Sequence, residues 1–217
     1  MQQPLINILT RTSNRPNGFK INVDNIKNQT YKNINHIVCT DDKNSIPYIK
    51  DNGFNDILFL DREEIIKKDN CPNPHTGVYS PHNLYFNHMI EKVKEGWVIY
   101  LDDDDRFTEL TTVEEIVNII KQHNEDSLIY WRMIYSNGRV LPLNMGNGNL
   151  PQIGGIGGSC FTFHSKYNHI AKWDSWKCGD YRLIRKLHQT IPNKVWAPKN
   201  FIYVPSQGMG NKKDIKI

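Results

Sequence analysis

Four consecutive aspartates, Asp102, Asp103, Asp104 and Asp105, follow directly on the apolar run 97–101 in the middle of the chain. A short run that is apolar on both faces is typical of a central strand covered by helices on each side of its sheet. Neighbouring carboxylates repel one another unless a cation or a hydrogen-bond network compensates. Because ligands of open α/β sheets bind at the carboxyl ends of the strands, the pattern predicts a binding site that needs a cation, in preference to a solvated acidic turn.

Short apolar runs alternate with amphipathic stretches on both sides of this strand. This order is typical of successive β-α-β units, and it predicts an α/β fold with a mainly parallel central sheet flanked by helices. The other predicted strands are residues 5–10, 34–40, 56–60, 128–135, 159–164 and 201–204. The predicted helices are residues 19–28, 45–51, 81–94, 112–123 and 181–189, and the stretch 137–158, rich in glycine, asparagine and proline, is predicted as an irregular loop.

Length and charge limit the partners that the chain is expected to have. With 217 residues and 38% apolar residues, it is long enough for one domain with a substantial core. The net charge of +4 is spread along the sequence, which argues against a nucleic-acid partner. No apolar run approaches the roughly 20 residues of a membrane span, and the N-terminus lacks a signal-peptide pattern, so a cytoplasmic protein is expected. Abundant Asn, Ile and Lys with little Ala suggest an AT-rich genome.

The type of ligand atom narrows the choice of cation. Carboxylates alone favour Mg²⁺ or Mn²⁺ over zinc, and such ions usually keep water or substrate phosphates in their coordination shell. An EF-hand loop is excluded, because the sixth and twelfth positions counted from Asp102 are Phe107 and Val113 instead of Gly and Glu.

Five segments, spread over about residues 6–187, match one set of motifs in the right order. They are I-L-T-R-T-S-N-R-P from residue 8, D-N-I-K-N-Q-T-Y-K-N from residue 24, H-I-V-C-T-D-D from residue 36, G-W-V-I-Y-L-D-D-D-D from residue 96 and G-D-Y-R-L-I-R-K-L from residue 179. Together they resemble the motifs of family 2 glycosyltransferases with the GT-A fold. The resemblance implies one GT-A domain over residues 1–204, with a nucleotide-sugar half up to about residue 105 and an acceptor half after it, and a basic tail from residue 205.

The resemblance also implies how a nucleotide-sugar donor, more specifically a UDP-sugar, would be bound. Asp41 would accept a hydrogen bond from the nucleobase, with Arg11 and Thr12 in the loop beside it. Asp102 and Asp103 would face the ribose and the diphosphate.

The remaining implied roles concern catalysis. Asp104, together with Asp102, would hold the Mn²⁺ or Mg²⁺ that bridges the two phosphates. Asp180 would be the base that takes a proton from an acceptor hydroxyl during a single displacement with inversion. Gly179 replaces the acid that usually precedes this base, so no adjacent carboxylate raises its pKa. Asp180 also fits the alternative role of a helix N-cap.

Acceptor binding, to a glycan, a glycoprotein or another hydroxyl compound, is assigned to residues near Asp180. Trp173 and Trp176 are candidates for stacking on the acceptor, with core packing as the alternative. Gly154 and Gly155 belong to a possible lid, with a plain flexible hairpin as the alternative.

Two further groups of polar residues are interpreted without a binding role. Asn83 and Asn87 share a helix face and could point toward the donor, but solvent exposure is the preferred interpretation. Lys212 and Lys213 could cover the diphosphate, but a frayed terminus is the preferred interpretation.

Two other classes of function remain open at this level. One is a catalytically inactive relative that keeps a nucleotide- or sugar-binding pocket. The other is a nucleotidyltransferase or phosphatase on a similar sheet, although the first-strand loop shows no clear Gly-rich phosphate loop with lysine.

Overall fold

The computed structural model of the chain describes residues 3–74, 77–205 and 214–215, with residue 147 described by its backbone alone. Six helices are described: α1 (Pro16–Lys27), α2 (Ile46–Asp51), α3 (Arg62–Lys68), α4 (Tyr85–Ile90), α5 (Thr112–Ile120) and α6 (Gly179–Thr190). The described strands are β1 (Ile6–Arg11), β2 (Ile34–Thr40), β3 (Leu58–Phe59), β4 (Trp97–Tyr100), β5 (Arg106–Phe107), β6 (Ser127–Tyr135), β7 (Val140–Leu141), β8 (Phe161–His164) and β9 (Asn193–Val204). Lys212 and Lys213 lie outside the described residues.

One sheet joins these strands in the order β3-β2-β1-β4-β8-β6-β9-β5, with β7 paired to β6. The first four strands of this order are parallel. The second part is mixed, with β8 antiparallel to both β4 and β6 and β9 parallel to β6. The predicted α/β fold with a central sheet is confirmed, and β4 is buried along its whole length as its sequence predicts.

The parallel register decides where the candidate site lies. β1 runs beside both β2 and β4, so the three strands end at the same edge of the sheet. Arg11 ends β1, Asp41 follows the last residue of β2, and Asp102 follows β4 by two residues. Side chains that are up to about ninety residues apart in sequence therefore meet at one edge, as expected for open α/β sheets.

Several element boundaries differ from the sequence prediction. α1 begins at Pro16 instead of Phe19, because proline fits the first helical turn. The helix predicted from Pro81 begins as a 3₁₀ turn and ends at Ile90, four residues early. α3 was not predicted, although the side chain of Asp61 caps it by accepting from the N–H groups of Glu63 and Glu64.

The last strand is three times longer than predicted. β9 begins at Asn193, and its polar first part pairs with β6 through an irregular register between Tyr130 and Arg132. Such a bulge accommodates Pro198, which cannot donate to a regular ladder. In the stretch 137–158, which was predicted to be irregular, β7 adds two paired residues. None of the helices in the described part of the chain is long and apolar enough to cross a membrane.

Candidate active site at the carboxyl ends of the parallel strands

The four aspartates form a tight turn directly after β4, here called the aspartate turn (residues 102–105). The N–H of Asp105 donates to the carbonyl oxygen of Asp102 over 3.0 Å, which closes the turn. The buried amide of Asn22, on α1, donates to the same carbonyl over 3.1 Å and to that of Asp105 over 2.8 Å. The turn is therefore attached to α1 as well as to β4, and Asn22 was not singled out from the sequence.

Arg11 provides the first positive charge beside the turn. Its Nε lies 2.9 Å from Oδ1 of Asp102, and its Nη1 donates to the carbonyl of His82 over 3.0 Å. The guanidinium lies 4.7 Å from the ring centre of Phe86. These contacts fix the planar guanidinium in one orientation, because each uses a different part of it.

Arg15 provides a second positive charge, and sequence reasoning missed it. Its Nη1 lies 3.1 Å from Oδ1 of Asp103 and 2.8 Å from Oδ2 of Asp104. Burial lowers the pKa of Arg15, but the attraction of Asp103, Asp104 and Asp102 outweighs it, and the net pKa is raised. The positive charge that four aspartates require is therefore supplied in part by the chain itself. Arg15 lies in the segment that carries Arg11, so the sequence did contain an indication.

The two most buried acids of the turn, Asp103 and Asp105, have raised pKa values. Burial raises the pKa of Asp103 to about 7, although Arg15 opposes this shift. Burial and the charge of Asp104 raise the pKa of Asp105 well above its ordinary value, while the Ser159 hydroxyl donates to it over 2.9 Å. Asp102 and Asp104 are the more exposed acids of the turn.

Asp41 lies at the end of β2 with two donors on its carboxylate. The Tyr85 hydroxyl donates to its Oδ2 over 2.7 Å, and Nη1 of Arg62 lies 3.4 Å from the same atom. Thr12, the neighbour of Arg11 in the β1–α1 loop, is buried, and its hydroxyl lies 2.9 Å from that of Tyr48. Both predicted donor-binding residues thus lie at the strand-end edge, held by two tyrosines that the sequence did not indicate.

Asp180 occupies the first turn of α6. The N-cap of this helix is Cys178, with a left-handed φ of 62°, so the alternative that Asp180 is itself the N-cap is wrong. A Cβ on Gly179 would come within 2.8 Å of the Asn83 amide nitrogen, which explains why glycine stands where the family motif has an acid. The close approach of α4 and its preceding turn leaves no room for a side chain there.

The pKa of Asp180 is nevertheless raised, without an adjacent carboxylate. Burial raises it to about 6, the N–H of Tyr181 donates to Oδ1 over 2.8 Å and opposes the shift, and the charge of Asp102 adds to it. Arg11 acts on Asp180 as well, in the opposite sense. Asp180 is therefore in electrostatic contact with the same ion pair that begins the aspartate turn, which suits a group that accepts a proton near neutral pH.

The tryptophans predicted to bind an acceptor have structural contacts. Trp173 is buried, with its ring 5.0 Å from that of Phe86 and 5.3 Å from that of Tyr100. Trp176 lies against Tyr79 at 5.3 Å, and its Nε1 donates to a backbone carbonyl over 3.3 Å. For Trp173, core packing describes these contacts.

Among the glycines of the segment 137–158, Gly158 is the one that lies beside the candidate base. A Cβ added there would lie 3.1 Å from the Trp173 ring and 3.9 Å from Cβ of Asp180. Among the residues that the structure describes, none outside the immediate chain neighbours lies within 4 Å of such a Cβ at Gly154, and at Gly155 the near atoms belong to Gln152. The segment therefore reaches the candidate base through its last glycine and not through the two that were predicted.

The interpretation of two asparagines as solvent-exposed is wrong. Asn83 is 7% exposed, accepts from Arg11 over 3.4 Å, and donates to the carbonyl of Trp176 over 3.0 Å. Asn87 exchanges two hydrogen bonds with the backbone of Trp173. Both amides attach the helix before β4 to the segment that carries Asp180, so they hold the two sides of the site together.

A divalent cation fits the donor set only in combination with a phosphate. Within the described residues, no three His, Cys, Asp or Glu side chains converge in a way that would hold a metal. Mg²⁺ and Mn²⁺ are often held by one or two carboxylates plus substrate phosphates, and not by a complete protein cage. The side chains of Asp102 and Asp104 are 38% and 16% exposed, so a cation with its phosphate ligands can reach them from solvent.

Comparison by sequence finds nothing. No protein-family model matches the chain, and no curated protein matches it.

Comparison by structure finds the same fold in proteins that bind nucleotide-sugars. S. aureus TarS 1–349 in complex with UDP-GlcNAc matches with a TM-score of 0.70 at 13% identity, over 96% of this chain and 60% of that one. A longer crystal structure of S. aureus TarS matches with a TM-score of 0.68 at 13% identity, over 93% of this chain and 37% of that one. The mannosyltransferase PcManGT from Pyrobaculum calidifontis, in complex with GDP-Man and Mn²⁺, matches with a TM-score of 0.63 at 13% identity, over 96% of this chain and 59% of that one.

This likeness concerns the fold. At 13% identity the three structures share with this chain the arrangement of sheet and helices. The chain spans between 37% and 60% of their lengths. The chain thus has the fold on which TarS binds UDP-GlcNAc and PcManGT binds GDP-Man with Mn²⁺.

Proposed function

We propose that the chain is a nucleotide-sugar-dependent glycosyltransferase that uses Mn²⁺ or Mg²⁺. The observation that carries the proposal is the meeting of Arg11, Asp102 and Asp180 at one edge of this fold, although they come from three separate segments. A single displacement needs a donor site and a base side by side. Two distances support this proximity: Arg11 donates to Asn83 over 3.4 Å, and the amide nitrogen of Asn83 lies 2.8 Å from a Cβ placed on Gly179, the residue before Asp180.

The donor is proposed to be a UDP-sugar bound along the ends of β1, β2 and β4. Asp41 accepts a hydrogen bond from the nucleobase, with Arg11 and Thr12 beside it. Asp102 and Asp103 face the ribose and the diphosphate. The contact between Asp41 and Tyr85 supports this role, because a positioned carboxylate discriminates between bases by the donors that they offer.

Asp104 and Asp102 would hold the cation together with the diphosphate. When bound, it would stabilise negative charge on the departing nucleoside diphosphate. Arg11 supports this arrangement, since it fixes the orientation of the Asp102 carboxylate before the donor arrives.

Asp180 is proposed as the catalytic base. The oxygen of the acceptor hydroxyl attacks the anomeric carbon, the bond from that carbon to the phosphate oxygen breaks, and the hydroxyl proton passes to Asp180. Attack from the face opposite to the leaving group inverts the configuration. The raised pKa of Asp180 supports the assignment, because a base with a pKa near the working pH transfers protons efficiently.

The acceptor is proposed to approach along Gly158 and the segment before it. Trp176 and the glycines at positions 154 and 155 remain candidates for contact with it. The position of Gly158 supports this route, because a Cβ placed there would lie 3.9 Å from Cβ of Asp180, which brings the segment beside the proposed base.

A panel of nucleotide-sugars tests the proposal. Thermal unfolding is followed with UDP- and GDP-sugars, with and without Mn²⁺, and release of the nucleoside diphosphate is measured in parallel. One donor should stabilise the protein only in the presence of Mn²⁺. Asp104→Asn should abolish this stabilisation, whereas Asp24→Asn, which removes an exposed carboxylate on α1, should keep it.

The same panel separates the alternatives. An inactive relative would be stabilised by a nucleotide-sugar but would release no nucleoside diphosphate. If no donor stabilises the protein in a metal-dependent way, and Asp104→Asn behaves like the wild type, the glycosyltransferase proposal fails.

A further inference from the structure

Arg15 occupies a central position among the acids of the aspartate turn. It is the residue just before α1, and a single nitrogen, Nη1, contacts carboxylates of both Asp103 and Asp104. Arg11 in contrast contacts only Asp102 among these acids. Three of the four acids are thus in contact with two guanidinium groups, and that of Arg15 contacts two of the acids.

Two buried polar atoms around this ion pair have no hydrogen-bond partner among the described residues. One is Nε of Arg15, and the other is Oδ2 of Asp103, whose side chain is 2% exposed. Native proteins pair most such groups, since an unpaired buried donor or acceptor is destabilising. Within the described part of the chain, the donor Nε of Arg15 and the acceptor Oδ2 of Asp103 therefore remain unpaired at the place where the cation and the diphosphate are proposed to bind.

A divalent cation on Asp104 conflicts with Arg15 in its present position. The guanidinium lies 2.8 Å from Oδ2 of Asp104, so a cation bound to this carboxylate would share it with a second positive group. The diphosphate has the opposite effect, because phosphate oxygens accept strong, frequently paired hydrogen bonds from a guanidinium. When the cation and the diphosphate bind together, Arg15 thus loses its contact with Asp104 and gains the phosphate oxygens as hydrogen-bond acceptors.

We infer that Arg15 is a donor-binding residue that holds Asp103 and Asp104 while the site is empty and passes to the diphosphate when the cation binds. This inference rests on the proposed function. The guanidinium of Arg15 takes the place of the cation between the carboxylates of Asp103 and Asp104. It prevents collapse of the turn and repulsion between these carboxylates, and it disfavours binding of the cation alone. It also makes binding of the metal and of the nucleoside diphosphate mutually dependent.

Two binding measurements on Arg15→Gln test this inference without measuring activity. The first is the affinity for Mn²⁺ alone, followed by the loss of the signal of free Mn²⁺ in electron paramagnetic resonance. The second is the affinity for UDP and for GDP in saturating Mn²⁺, by calorimetry. Lys20→Gln is the matched control, because it removes one positive charge from an exposed position on α1.

Opposite changes in the two affinities are expected. Arg15→Gln should bind Mn²⁺ alone about tenfold more tightly, because a competing unit charge is gone. It should bind the nucleoside diphosphate about tenfold more weakly, because a charge-assisted hydrogen bond is lost. Lys20→Gln should leave both affinities unchanged. A purely structural role of Arg15 would instead weaken both affinities together, through displacement of the turn, and that result overturns the inference.

The remaining outcomes are also decisive. If the wild type binds UDP or GDP with Mn²⁺ and Arg15→Gln has the same two affinities, the inference is wrong while the proposed function stands. If the wild type binds neither nucleotide in Mn²⁺, both fall. Should Arg15→Gln not fold, Arg15→Lys decides: one ammonium lacks the fork of the guanidinium, so nucleotide affinity should fall about threefold or more, and an unchanged affinity contradicts the inference.

Discussion

The aspartate turn and the glycine-rich segment 137–158 approach the same candidate base from two sides, but they are built differently. The turn is attached to α1 through Asn22 and is paired with two arginines. The glycine-rich segment connects β6 to β8, and its hydrophobic side chains Leu143 and Ile153 are 75% and 60% exposed. Charged side chains thus pair with one another in the first region, while two large apolar side chains are exposed in the second.

The difference shows which part of the site follows from the sheet and which does not. The parallel register fixes the positions of the residues at the ends of β1, β2 and β4. The segment 137–158 is positioned by local packing, since a Cβ placed on Gly157 would lie 2.7 Å from the sulfur of Met133. Loops of this kind can change without disturbing the sheet, which agrees with the proposal that this segment contacts the acceptor.

The largest effect is expected where the two regions meet, at Asp180. Asp180→Asn removes the proposed base but keeps the shape of the side chain, so transfer should slow by about 10²- to 10⁴-fold. Affinity for the nucleoside diphosphate in Mn²⁺ should stay within about twofold of the wild-type value, because Asp180 is proposed to act on the acceptor and not to bind the nucleotide. Single-turnover transfer and calorimetry measure the two quantities, with Asp24→Asn as the control. A variant that transfers at the wild-type rate would remove Asp180 from the mechanism.

The pH dependence of transfer should report the same group. Burial raises the pKa of Asp180 to about 6, and the base form is present only above that value. The rate constant kcat/KM should therefore fall tenfold for each pH unit below about 6 and stay level above it, as long as Asp180 is the proton acceptor. The measurement uses saturating Mn²⁺ and subsaturating donor. A profile that is flat across pH 6 in the wild type would contradict the assignment.

Much of this site could be predicted from local sequence. Asp102 and Asp104 follow an apolar strand directly, so the apolar pattern was enough to predict a binding site there. Arg11 and Asp41 stand at the ends of two other strands, but they were selected through the resemblance to a family motif. Asp180 required the resemblance to a family motif, because nothing in its own neighbourhood distinguishes it from an ordinary residue near the start of a helix. These residues are positioned by the element to which they belong.

The residues that sequence reasoning missed are positioned by contacts between distant segments. Asn22 contacts a turn 80 residues away, and Asn83 contacts a carbonyl 93 residues away. Asparagine is usually exposed, so composition favours the wrong interpretation until the partner is known. β9 was missed over residues 193–200 for a similar reason, because pairing with β6 decides its conformation despite its polar and proline-containing sequence.

Asn22 should be the residue on which the stability of the aspartate turn depends most. Asn22→Ala leaves the carbonyl groups of Asp102 and Asp105 without their amide donor, which should lower the free energy of unfolding by about 2 kcal/mol. Donor binding should weaken as well, because the turn loses its attachment to α1. Urea unfolding measures the first effect. Lys20→Ala, on the exposed side of the same helix, should change the stability by less than about 0.5 kcal/mol. Equal stabilities of the two variants would show that the turn does not depend on α1.

A smaller effect is expected at the N-terminal end of α1, where Asp214 in the C-terminal tail contacts the helix. The carboxylate of Asp214 accepts from the N–H groups of Asn17 and Gly18 over 2.9 and 2.8 Å, so the tail supplies the cap that the residue before the helix lacks. Asp214→Ala should destabilise the fold by about 1 kcal/mol, and Asp214→Asn by less, since its amide oxygen still accepts one bond. The comparison uses thermal and urea unfolding. Identical stabilities of wild type and Asp214→Ala would mean that the tail does not cap α1 in solution.

The smallest effect on stability is expected in the glycine-rich segment, and it provides the sharpest contrast with the turn. Leu143→Ser and Leu150→Ser alter side chains that are 75% and 53% exposed, so the free energy of unfolding should change by less than about 0.5 kcal/mol. Donor affinity should stay the same, whereas KM for an acceptor should rise if these side chains contact it. Ile156→Ser is the control within the segment: Ile156 is 4% exposed, and loss of its burial should be destabilising by about 2 kcal/mol or more. If the two leucine variants weaken donor binding as strongly as Asn22→Ala does, the two regions act as one unit, and the division of the site into a donor side fixed by the sheet and a variable acceptor side is wrong.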